Sequence, residues 1–525
     1  MLARVGRLVL VLVGALLVGV SVVALVAPRP PFTVYRQPVV IGATLAFLLV
    51  GMLWRPPARA RRVLRTWWMP WLVAVAGGWL AVVVGTSLNL AWSWDAGGAN
   101  RIALRLHTDV PLAESDVLYL ARYPYMRTLV GIHRSAFEVS DSTGWPSHTV
   151  LVTLVAVAAA LSVLLVHPLV APVSGRVRAV AAQLVVIALV AISPWVAVPY
   201  TDVLAMPLLT GSVVLVLRAA RRFDRWSAPQ LLGSAVLAAG AVVIKATPAV
   251  LIVAVAVVGL LLTIDLRRHS RRALVAFAGT AGWVVVTLVL VSSFTATATT
   301  ALGRVSPTGL RADAAAPVTW WLANGMTTVG NPEGRIRYGG YNSIMTRRIA
   351  DMDSAEATQW SRDWIQHQWV RRGLDGSAEF YLNKAAWNWG DGMFWAWGEG
   401  SDRLPERLAP ADGVVAAAVH DVGAPRGRWY PLRSDLTQGL WLAVLLVTGL
   451  GALRARAPTR DQVLVALTVL GIALFTLLFQ GRSRYLLTFV PLVVALGAMV
   501  RRRPVHWLAR ARRVSRSWRS GSAPT

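Results

Sequence analysis

What most constrains this chain is a series of apolar runs. Stretches of spanning or near-spanning length lie at 8–27, 38–54, 70–90, 147–167, 179–193, 203–217, 231–264, 273–292, 437–453, 462–479 and 485–500. A helix needs about 20 apolar residues to cross a bilayer, and within the bilayer the backbone must satisfy its own hydrogen bonds, so each run is read as a helix. The run 231–264 is too long for one. At about 1.5 Å per residue it would extend about 50 Å against a hydrocarbon core of about 30 Å. Lys245, Thr247 and Pro248 interrupt it, so two spans joined by a tight turn fit better. The first run is long enough to span and is followed by many others, and it reads as an uncleaved anchor, not a signal peptide.

The placement of charge supports this division. With 56% hydrophobic and 15% charged residues, the chain is outside the proportions of a soluble globular protein. Its formal charge of +28 comes from arginines clustered in short loops between the apolar runs. Topology explains such clusters, and a nucleic-acid partner is not expected. With 231–264 split, about 12 spans place the arginine-rich loops on the cytoplasmic side, both termini included. The organisation expected is two extra N-terminal helices and a basic loop in 1–69; a core bundle in 70–292 that includes a first outer loop, 91–146; an extracytoplasmic tryptophan-rich segment, 293–436; three last spans in 437–500; and a basic cytoplasmic tail, 501–525. The fold class is an all-α polytopic membrane protein with two large extracytoplasmic segments containing interfacial helices, located in the cell inner (plasma) membrane.

Those two outer segments hold 21 of the 25 acidic residues. A solute transporter concentrates polar groups near the bilayer midplane, whereas here they gather just outside it, which favours chemistry or binding at the outer surface. In the larger segment a capped helix is predicted from Asp353 to about Arg372, with Trp360 and Trp364 one turn apart and Gly373 at its end. The run "NWGDGMFWAWGEG", 388–400, crowds tryptophan, glycine and acidic residues into one tight loop. Aromatic faces that stack on sugar rings, next to acidic acceptors, make Trp389 and Asp391 candidate substrate-binding residues.

Further candidates lie at the outer ends of spans. "SLNLAWSWDAGGANRI", 87–102, ends an apolar run on Asp95. "ARYPYMRTLVGIHR" contributes Arg122 and Tyr123; "PYTDVL" contributes Asp202, which can also act as an ordinary helix cap. "IKATP" places Lys245, one of two lysines in the chain, at an outer turn. In "FQGRSRYLL", Arg482 and Arg484 flank a turn that topology would keep neutral, which points to a bound anion, with Tyr485 beside them. Lys245, Arg482, Arg484 and Arg122 would form a phosphate site next to Asp95. The chain has no cysteine, and no spacing demands a metal, although Asp95, Asp116 or Asp391 could meet around a divalent ion. No cofactor is expected.

The motifs "YLARYPYM", "PYTDVL", "IKATP", "WGDGMF" and "GRSRYLL", in this order over roughly 70–500, resemble the bacterial membrane glycosyltransferases of the GT-C superfamily, relatives of the protein mannosyltransferases. The resemblance implies a GT-C-like helical bundle, a polyprenyl-phosphate-linked sugar as donor, and a catalytic aspartate just after a span, which Asp95 matches. This chain has Tyr125 and Met126 where related sequences often carry asparagines, and Gln480 where they often carry glutamate. The activity implied is inverting transfer of a hexosyl or pentosyl group to an acceptor hydroxyl on a lipid, glycan or protein of the cell envelope. A leaving phosphate needs cations and no general acid, so one carboxylate is enough. The alternatives are a transporter or flippase of a lipid-linked glycan, or a non-catalytic membrane protein that binds cell-wall glycan.

Overall fold

The computed structural model describes residues 1–29, 32–222, 226–267, 270–303, 314–330, 336–398 and 412–500. Among them, nine helices are long and apolar enough to cross a membrane: Leu2–Val26, Met69–Leu88, Ser147–Ser174, Thr201–Arg221, Ser227–Ile244, Thr247–Leu266, Arg272–Thr300, Tyr430–Arg454 and Arg460–Leu478. The chain is an all-α, multi-pass integral membrane protein. Three other apolar stretches form shorter helices. Gln37–Leu53 has 17 residues and Val490–Val500 has 11, while 179–193 folds as Arg176–Val186 running into a π turn at Ile187–Ala191. The last apolar stretch is shortened because its first residues form a separate helical turn, Arg484–Leu487. The basic tail 501–525 and the end of the tryptophan-rich run, 399–400, lie outside the described residues.

The long run divides at Lys245, as its polar interruption predicts. Ile244 ends one helix, Lys245 is extended (φ −151°, ψ 129°), and a 3-10 turn at Thr247–Ala249 starts the next. The two N-terminal helices pack onto Tyr430–Arg454. Gly14 and Gly449 face each other, and a Cβ on Gly14 would lie 2.8 Å from the Gly449 carbonyl oxygen. Small residues at a membrane helix crossing permit this approach. Arg36, between the same two helices, pairs with buried Asp435 at 2.6 Å.

The first long polar segment, 91–146, is built from Trp94–His107, Glu114–Arg122 and Met126–Thr143. Trp94–His107 buries Ala96, Ala99, Ala103 and Leu106, one face at helical spacing. The second contains Val318–Gly325, Ser343–Arg348, Ser354–Trp389 and Val414–Gly423, with a short antiparallel pair that sets Thr328 opposite Tyr338. The cap predicted at Asp353 is present and takes the form of a capping box, with Glu356 returning to the Asp353 backbone N–H. Trp360 and Trp364 stack with ring centroids 5.7 Å apart. Gly373 (φ +62°) breaks the helix where predicted, and beyond that kink a second helical arm continues to Trp389.

Candidate functional site

Asp95 owes its position to an irregular link. The helix Met69–Leu88 ends on Asn89 in the left-handed region (φ +40°), and Trp94 also has positive φ (+51°) as the next helix starts. Left-handed non-glycine residues persist only where their surroundings enforce them. Here the Arg482 guanidinium lies 5.3 Å from the centroid of the Trp94 ring. A Cβ on Gly97 would collide with the Trp92 carbonyl, so glycine is needed for the helix to fold back over its own entry strand. Asp95 then lies in the first helical turn, where the backbone dipole favours an anion.

Both oxygens of the Asp95 carboxylate accept phenol hydrogen bonds. Tyr119 donates to one at 2.8 Å and Tyr200 to the other at 2.9 Å. Burial and then the Asp95 charge hold the Tyr119 hydroxyl far above the usual phenol range, so it remains a donor. Tyr200 is set by buried His133, whose Nε2 lies 3.0 Å from the Pro199 carbonyl and whose Nδ1 lies 3.2 Å from Asn100 Oδ1. Burial pushes the His133 imidazole down to about 4, which keeps it neutral. The π turn and the 3-10 turn Pro194–Ala197 carry the chain to Tyr200, and π turns of this kind recur at functional sites.

The cations form two layers. Arg482 lies 5.3 Å from the ring centroids of both Trp94 and Trp395. Arg484 lies 4.5 Å from the Tyr200 ring and 3.5 Å from Asp202. Lys245 Nζ sits behind them, 2.6 Å from Asp202 and 4.6 Å from the Tyr485 ring centroid. Asp202 is fully buried and has two cations, so the group keeps one net positive charge directly behind the Tyr200–Asp95 pair. Arg122 donates to the Ala350 carbonyl at 2.6 Å, and its own carbonyl accepts from the Ala316 N–H at 3.1 Å, which fastens the two long polar segments together.

These groups surround a cavity of about 410 Å³. Asp95, Arg122, Tyr123, Arg482, Arg484 and Tyr485, all candidates from sequence, line it together. Lys245 and Asp202 do not; they form the buried ion pair one layer behind, because a lysine at this depth needs a carboxylate partner. The opposite wall is aromatic. Tyr123, Tyr125, Trp320 and Trp321 form one cluster, with the two tryptophans 4.5 Å apart edge to face and Trp321 5.9 Å from Tyr123.

Trp389 and Asp391 lie in the protein core and not on the cavity. Trp389 is 1% exposed, and its indole N–H points to the Thr476 hydroxyl. Asp391 accepts hydrogen bonds from the Tyr35 and Ser483 hydroxyls and from the Met393 and Trp395 N–H groups. The glycines of this run serve close packing: a Cβ on Gly392 would lie 2.8 Å from the Trp441 side chain. Asp391 therefore supports the arginine turn through Ser483. Asp116 pairs with Arg101 at 2.8 Å, so Asp95, Asp116 and Asp391 have separate partners. Tyr119, Tyr125, Tyr200 and His133 lie inside the quoted motifs but are not among the residues chosen from sequence as candidates, and Trp320 and Trp321 lie outside those motifs. "SPWVAVPY", with its two prolines before Asp202, is a local sign of the turn that presents Tyr200.

A family model described as conserved hypothetical integral membrane protein matches residues 62–505, and the chain belongs to that family. The matched stretch starts after the first two apolar helices. No curated protein matches this sequence. Among solved structures, the archaeal oligosaccharyltransferase AglB from Archaeoglobus fulgidus, in complex with an inhibitory peptide and a dolichol-phosphate, is similar over 88% of this chain at 12% identity, with a TM-score of 0.39. The chain spans about half of that protein, 53% of its length.

Proposed function

We propose that this protein is an inverting glycosyltransferase that moves a sugar from a polyprenyl-phosphate donor to an acceptor hydroxyl at the outer face of the plasma membrane. The observation that carries this reading is a single carboxylate, held by two phenols, that faces arginines and an aromatic wall across one cavity at the ends of membrane helices. The aromatic faces suit sugar rings, and the guanidiniums suit a phosphate.

In this reading the acceptor hydroxyl attacks the anomeric carbon while Asp95 takes its proton. The anomeric carbon–oxygen bond breaks, and the lipid phosphate leaves with the electron pair. Arg482 and Arg484 stabilise the charge that develops on it, and Lys245 with Asp202 holds Arg484 in place. Tyr119 and Tyr200 orient the base without competing for the proton. This differs from glycoside hydrolysis, which needs a carboxyl pair.

A general base contributes about 10² to 10⁴ in rate. Purified Asp95→Asn is therefore expected to lose transfer of labelled sugar by that factor and still bind the donor. Near-normal transfer by a well-folded variant would remove Asp95 from the role.

A further inference from the structure

A second cavity, of about 420 Å³, opens at the opposite end of the bundle from Asp95. It lies between the helices Thr201–Arg222, Ser227–Ile244, Val250–Leu266 and Ser270–Gly303. The ends of these helices fix its location. Leu217 and Ala220 belong to the far end of the helix that starts next to Asp202, and Ser227 begins the helix whose other end reaches Lys245. Its volume is that of a small-ligand site, about 300 to 1,000 Å³.

Leu231, Val255, Leu262, Val275 and Trp283 make the wall apolar, and Arg460 stands at its edge. Arg460 starts the helix Arg460–Leu478 and is followed by Asp461. That aspartate accepts two hydrogen bonds from Arg221, at 2.6 and 3.0 Å, and lies 3.8 Å from Arg460. Two guanidiniums thus share one carboxylate, which leaves an excess of positive charge where an apolar cavity meets the end of the bundle. The Arg460 side chain is 31% exposed and can reach a ligand there. Within a bilayer, the chemistry that satisfies both halves is an acyl chain carrying an anionic headgroup.

We infer that this cavity holds one acyl chain of an anionic glycerophospholipid, with the headgroup phosphate on Arg460. The site is separate from the cavity at Asp95 and does not depend on the glycosyl-transfer reading. Close packing closes it on one side: a Cβ on Gly259 would collide with Thr280. At Gly279 there is more room, with Leu231 3.6 Å from where a Cβ would lie, so a leucine there would fill the cavity.

Native mass spectrometry of the full chain in detergent, titrated with dioleoyl phosphatidylglycerol or dioleoyl phosphatidylcholine, tests the inference. The expected result is one saturable phosphatidylglycerol per chain, preferred over phosphatidylcholine by about fivefold, the factor for one cation near a headgroup. Arg460→Gln should abolish the preference, Arg460→Lys should keep most of it, and Gly279→Leu should prevent first-site binding of both lipids. Equal binding of the two lipids by the wild type, or an unchanged first site in Gly279→Leu, would overturn it. Should Arg460→Gln fail to fold by circular dichroism, the headgroup comparison and Gly279→Leu still decide.

Discussion

Asp95 and Asp391 are both single aspartates in tryptophan-rich turns at helix boundaries, and they do opposite work. Asp391 is 1% exposed and has four donors from its own protein, two hydroxyls and two backbone N–H groups. Asp95 is half-buried and has two phenol donors, and its carboxylate opens onto a cavity. A carboxylate enclosed by donors organises structure, whereas one held from behind keeps acceptor capacity for an incoming proton. Local composition does not separate these cases, because tryptophan and glycine surround both. Their partners do: Tyr35 and Ser483 for one, Tyr119 and Tyr200 for the other.

Exchanging each acid for its amide breaks the comparison most strongly. Asp391→Asn disturbs buried donors that each cost about 1 to 3 kcal/mol when unsatisfied. It should lower the melting temperature in detergent clearly, whereas Asp95→Asn should leave it nearly unchanged while removing turnover. Equal melting of the two variants would erase the distinction.

His133 connects the Asp95 side to pH. Its folded value, about 4, lies below the ordinary 6.5, so the unfolded chain binds the proton more tightly. Its neutral form therefore supports stability fully above pH 6.5, and up to about 3 kcal/mol of that support is lost as pH falls from 6.5 towards 4. Thermal melts at pH 7.5 and 4.5 should show the loss in the wild type and a flatter profile in His133→Gln.

Smaller effects sharpen the contrast. Tyr119→Phe and Tyr200→Phe each remove one hydrogen bond to a charged group and should lower kcat by about tenfold without unfolding the protein. A change confined to donor KM would reassign the phenols to binding. Ser483→Ala, which cuts the link from Asp391 to the arginine turn, should raise donor KM by about threefold and leave kcat in place.

Much of the fold was legible because the bilayer imposes length. The apolar runs, the break at Lys245 and the capped helix from Asp353 all follow from local chemistry. The arginine excess led to one face for Asp95, Lys245 and Arg482–Arg484, and these residues do converge. The long-range partners were not legible. Tyr119 and Tyr200 lie 24 and 105 residues from Asp95, and although both sit in quoted motifs, sequence does not show that they meet the same carboxylate. Lys245 looked like a ligand for phosphate because its partner Asp202 lies on another helix. Trp389 and Asp391 looked like a sugar platform because glycines that permit packing resemble glycines that permit access.

The most direct test gives the purified protein a labelled sugar on polyprenyl phosphate together with a hydroxyl acceptor, and follows the anomeric configuration of the product. Transfer with inversion, matched by release of one polyprenyl phosphate per sugar, is the expected result. Transfer with retention, or movement of the intact lipid-linked sugar across a vesicle membrane without transfer, would contradict it.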